Sequence, residues 1–202
     1  MPNADGAADE SVSPQSGITP EQTRDVMASS KKLLKELPTD DAMRQTLLGL
    51  LTASDQVVAL TGAAYLDHAL QVLLTAAFRE LTTEEWKRMF DGAANGILGT
   101  TSAKIRVAYA ARHLQPQQYK DLLLINDIRN VFAHSLHAVD FSNKLVEADC
   151  TKLNSYQPGG VLPEPQNAKE RYLWNVLDLY HVLRNKVTEQ STAKALRGEK
   201  KA

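Results

Sequence analysis

Apolar residues recur at helical spacing along most of the chain, and no stretch shows the period-2 alternation of β-branched residues that marks a strand. In DQVVALTGAAYLDHALQVLLTAAF, Leu70, Leu73 and Ala77 fall within roughly 40° of Leu66 at 100° per residue. That pattern predicts a long core helix, starting near Asp40 or Asp55. A second stripe, Leu173, Val176, Leu177, Tyr180, Leu183 and Val187, predicts a final helix in AKERYLWNVLDLYHVLRNKV. Between them TTEEWKRMF reads as a short amphipathic helix, TTSAKIRVAYAARHL as a helix ending before Pro116, and FSNKLVEADCTKLNSY as a further one. PQQYKDLLLINDIRNVFAHS opens with Pro116, well placed in a first helical turn. Nearer the start, Thr19 and Pro20 predict the cap and first turn of a helix that Pro38 stops. DGAANGILGT and QPGGVLPEPQ are turn-rich connections.

The expected fold is therefore all-α, a single irregular bundle of about six or seven helices. Residues 1–18 have no periodicity and few large apolar side chains, and predict a disordered tail. The helical domain is expected over 19–188, with its core at about 50–155, followed by a flexible basic tail at 189–202.

Composition adds exclusions. The chain has 202 residues, 43% hydrophobic and 23% charged, with a formal net charge of -1, so a basic excess for duplex DNA is lacking. A local basic patch is compatible with that balance. Cys150 is the one cysteine, which rules out an internal disulfide and a multi-thiolate zinc site and fits a reducing cytoplasm. MPNADGAADESVSPQSG lacks the basic and apolar regions of a secretory signal, and no membrane span is expected. Histidines 68, 113, 137 and 181 form no metal-ligand spacing, and His134 with His137 is a lone pair at a helix end, so neither metal nor cofactor is expected. GAANGILGT lacks the Lys-Ser/Thr of a phosphate loop and follows no strand. Trp86 and Trp174 are expected as core or interface anchors.

The chemistry worth weighing lies in DLLLINDIRNVFAHSLHAVDF. Leu124, Ile125, Ile128, Val131 and Phe132 span one broad face, while Leu123, Asp127, Asn130 and His134 gather within roughly 60° on a second, and Leu122 and Arg129 take the third side. So apolar a circumference predicts a helix enclosed by its neighbours. A buried Arg129 then needs a carboxylate, and Asp67, at the border of the Leu66 stripe, is the expected partner. His134, near the helix C-terminus, sits where the macrodipole favours a protonated ring. On this reading Asp67, Asp127, Arg129, Asn130 and His134 are a structural polar cluster.

DIRNVFAHS with the later VDF resembles the mannitol operon repressor (MtlR-like) family, as do GAAYLDHALQVLLTAAF, MFDGAANGILGTTSAKIRVAYA and YKDLLLINDIRNVFAHS in that order, over about residues 50–155. The resemblance implies an all-helical cytoplasmic homodimer that regulates transcription of sugar-alcohol uptake genes. Arg129 to His134 also match the Arg-x4-His pattern of the HEPN superfamily. In that resemblance His134 would move the 2′-hydroxyl or leaving-group proton, Arg129 would stabilise the phosphorane charge and Asn130 would orient the phosphate, in a metal-independent endoribonuclease. RNA is thus one expected partner and a regulatory protein another. RHLQPQQY superficially resembles a helix-turn-helix, but its second helix offers too little polar surface to read base edges, so direct sequence-specific DNA binding is not expected.

Overall fold

The computed structural model describes residues 37–78, 80–91, 96–156 and 162–199, with side chains through Leu196. The N-terminal tail and the helix read from Thr19 lie outside the described residues. Within them the chain is all-α, with seven helices and no strand: α1 (Asp40–Leu50), α2 (Asp55–Ala77), α3 (Thr83–Phe90), α4 (Thr101–Ala110), α5 (Pro116–His134), α6 (Lys144–Cys150) and α7 (Ala168–Glu199).

Local chemistry sets these boundaries. Ala42 N–H donates to Thr39 Oγ1 at 3.3 Å, and Asp40 and Asp41 occupy the first turn of α1, where their charge complements the helix dipole. Asp40 and Asp55 thus begin two separate helices. At α3, Glu85 N–H donates to Thr82 Oγ1 and Thr82 N–H to Glu85 Oε2, a reciprocal capping box. The connection before α4 needs Gly96, because a Cβ there would meet Met89 O at 2.8 Å. α4 closes with His113 N–H donating to Ala108 O and Arg112 N–H to Tyr109 O, both at 2.9 Å, a Schellman motif. The left-handed position, with φ 61°, is held by Arg112. A side chain there costs about 1 kcal/mol relative to glycine.

The core is built on the pairing of α2 with α7, its most extensive helix–helix interface. Val58, Ala59, Leu66, Leu70 and Leu73 of α2 are buried, as are Leu173, Val176, Leu177, Tyr180 and Leu183 of the predicted α7 stripe. Gly62 lets the helices close, since a Cβ would come within 3.0 Å of the Tyr172 ring. The Tyr172 hydroxyl donates to Ala59 O at 2.8 Å and is thereby satisfied. Trp174 is buried and Trp86 packs on Phe90, centroids 5.6 Å apart. The first described turn is anchored to α7 by Tyr180 Oη donating to Pro38 O and by the Arg184–Asp40 ion pair, both at 2.7 Å.

Three expectations need correction. α2 is long and apolar enough to cross a membrane, contrary to the reading that no segment would be, yet its buried face is spent on the bundle core. α7 continues through Glu199 rather than giving way to a tail at residue 189, although most described side chains beyond Val187 face solvent. Finally α5 is not enclosed: it buries Asp121, Leu122, Ile125, Ile128 and Phe132, while Asp127, Val131 and His134 are exposed. α2 and α7 hold the centre instead.

Candidate functional site

α5 carries polar residues at both ends, and the two ends are built differently. Near its start, Gln115 N–H donates to Gln118 Oε1 at 2.8 Å and Pro116 takes the first helical position. One turn on, Asp121 is 1% exposed and bonded on both carboxylate oxygens. It accepts hydrogen bonds from Gln117 Nε2 at 2.8 Å, Asn154 N–H at 3.0 Å and Ser155 Oγ at 2.6 Å. Buried Asn175 continues the arrangement, accepting from Tyr156 N–H at 2.9 Å and donating to Arg171 O at 2.8 Å. The segment after α6 is thereby fastened between α5 and α7. Neither residue stands out in the sequence; only the four-residue spacing of Gln117 and Asp121 hints at the pair.

At the other end the helix stops at His134, with Ser135 N–H donating to Val131 O. Arg129 is half-buried and its NH1 donates to Asn130 Oδ1 at 3.1 Å. Among the described residues no carboxylate lies within ion-pairing distance of it. Asp67, the expected partner, pairs instead with Lys104 at 2.7 Å. The physical reason is that Lys104 of α4 is nearly fully buried against α2 and needs the charge, whereas Arg129 reaches water. The five predicted cluster residues therefore separate: Arg129 and Asn130 are joined, His134 is exposed on the last turn, Asp127 is exposed about two turns before it, and Asp67 belongs to another site.

A firm base lies beneath Arg129. Phe132 packs on Phe141, and Phe141 on Tyr172, at centroid distances of 4.9 and 5.3 Å. Gln56 Nε2 donates to Phe132 O at 3.4 Å. Asp55 accepts from Phe141 N–H at 2.9 Å and pairs with Lys169 at 3.1 Å, while Lys169 also donates to Ala53 O. A shallow pocket of about 380 Å³ opens beside Asp55, Ser142, Glu147, Asn167 and Lys169, its lysine already neutralised. Burial pushes the Tyr172 phenol well up, and the Arg129 charge is among the smaller effects opposing it. Cys150 is no nucleophile, because burial, then the Asp149 charge, pushes its thiol up to about 12. Among the described residues no three His, Cys, Asp or Glu side chains gather as a metal site would require.

Five residues apart on a regular helix, Arg129 and His134 point roughly 140° apart, so a single chain does not converge them on one phosphate. What this end of α5 can do alone is present the His134 imidazole on the face of exposed Val131 (44%), with Leu136 (98%) exposed just past the helix and the Arg129 cation on another side. No known protein family, curated protein or solved structure matches the chain.

Proposed function

We propose that the protein is a cytoplasmic regulatory interaction protein of the mannitol operon repressor type, homodimeric and acting through a protein partner rather than a recognition helix. The observation that supports docking is the exposed end of α5, where Val131 and His134 lie roughly 60° apart on one face and Leu136 is exposed just past the helix, while Arg129, on another side of α5, has no carboxylate partner among the described residues. Exposed apolar side chains rimmed by polar ones on a rigid base suit a protein partner. The all-helical fold is compatible with the family.

The test is a reporter for sugar-alcohol uptake genes in a strain deleted for this protein. Wild type is expected to restore repression, and a Val131→Asp/Leu136→Asp double variant with an unchanged melting curve is expected to fail. Full repression by the double variant would reject this docking surface. A second reading, a metal-independent endoribonuclease, draws support from the same unneutralised Arg129, which is free to receive a phosphate. It requires a second copy to bring His134 opposite Arg129. Cleavage of single-stranded RNA in chelator to cyclic-phosphate ends by wild type, but not by His134→Ala, would establish it.

A further inference from the structure

The hairpin of α4 and α5 has a charge pattern that the surface at Arg129 does not explain. From residue 92 to residue 120 the chain contains no Asp or Glu, yet it contains Lys104, Arg106, Arg112 and Lys120 in a protein whose net charge is -1. Lys104 is consumed by Asp67. Arg106, Arg112 and Lys120 are exposed, and none pairs with a carboxylate among the described residues. Across the hairpin, the neighbouring charges of α7 cancel, since Lys186 pairs with Glu189 at 2.8 Å. Asp121, the first acid after the stretch, is buried and turned to Asn154 and Ser155. From residue 92 to residue 120 every exposed charged side chain is thus cationic.

An aromatic pair sits among these charges. Tyr109 and Tyr119 stack at a centroid distance of 4.3 Å and an interplanar angle of 23°. Stacking uses one face of each ring, and Tyr109 remains 39% exposed. Arg106 lies one turn before Tyr109 on α4, Arg112 three residues after it, and the intervening Ala110 and Ala111 are exposed and too small to block approach. Arg112 also occupies the left-handed position that glycine would fill without strain. A strained side chain kept at a surface corner points to a use other than stability.

We propose that this hairpin is a platform for unpaired nucleic acid, with a base stacked on Tyr109 and the phosphates running past Arg106, Arg112 and Lys120. Stacking is tolerant of base identity because every base offers a π-face, and the cations supply the salt-dependent part of affinity. A duplex hides the faces of its bases, so it is excluded by the same geometry. The platform stands apart from the end of α5 and does not depend on the regulatory reading.

Fluorescence anisotropy with the full chain and a short labelled single strand, as RNA and as DNA, tests the proposal. At least one single strand is expected to bind at low salt, with log Kd rising with log salt at a slope of about 2 for three phosphate contacts. Tyr109→Ala is expected to weaken binding roughly tenfold or more, and Tyr109→Phe to retain it. Arg112→Gly is the decisive variant: it is expected to lower both affinity and salt slope while the melting temperature holds or rises. Preference for RNA or for DNA identifies the source of the strand. No binding of either single strand at low salt, equal binding of a blunt duplex, or wild-type affinity in a folded Tyr109→Ala protein would overturn the proposal.

Discussion

The two ends of α5 carry comparable polar side chains in opposite circumstances. Asp121 is sealed in the interior with three donors directed at it, whereas Arg129 reaches solvent and, among the described residues, holds only Asn130. A charge that is buried and fully bonded fixes the chain's path. A charge that reaches the surface without a carboxylate partner is free to meet something else. On this helix the architectural residue is the aspartate near the start, and the arginine near the end is the one left available.

The largest effect that could break this contrast is expected from Asp121→Ala. It strands the Asn154 N–H, Ser155 and Gln117 donors and should cost about 3 kcal/mol in urea unfolding. A loss below about 1 kcal/mol would mean that water replaces the carboxylate and that the knot is not structural. Next comes Lys104→Ala, expected to cost about 2 kcal/mol. Its partner Asp67 keeps 31% of its side chain open and can rehydrate, so the penalty stays below that of a fully sealed pair. Equal losses from Lys104→Ala and Asp121→Ala would erase that distinction.

Arg129→Ala and His134→Ala should each change stability by less than about 1 kcal/mol, since neither removes a partner from a buried group. A loss near that of Asp121→Ala would restore Arg129 to the interior framework. The smallest effect concerns His113, whose pKa is lowered chiefly by burial and then by the Lys186 charge, with Glu189 opposing. The unfolded chain therefore binds the proton more readily than the fold does. Stability from this group is present above the ordinary histidine value of 6.5 and is lost as pH falls through the lower folded value. His113→Gln should remove that part of the acid dependence, measured as unfolding free energy against pH.

Much of the architecture was legible because its causes are local. Thr100 caps α4 and Pro116 opens α5, and the α7 stripe from Leu173 to Leu183 is buried as its spacing predicts. The site was less legible because its causes are not local. Periodicity counted Leu124, Val131 and Ile128 alike as apolar surface, but only the neighbours decide which of them is covered, and Val131 is not. Two of the three donors to Asp121 come from 33 and 34 residues away on a segment with no period at all. Asp67, expected as the partner of Arg129, pairs instead with Lys104, whose position among Ala103, Ile105 and Ala108 held the clue.

The pairing of α2 with α7 also constrains the order of events during synthesis. The hydroxyl of Tyr172 reaches a carbonyl 113 residues earlier, so the principal partner of α2 leaves the ribosome long after α2 itself. Until then a 23-residue segment with the hydropathy of a membrane span waits with its intended cover unmade. Non-local closure of this kind slows folding and leaves apolar surface open to aggregation. Nascent chains halted before α7 are accordingly the form in which this protein is most in need of a chaperone.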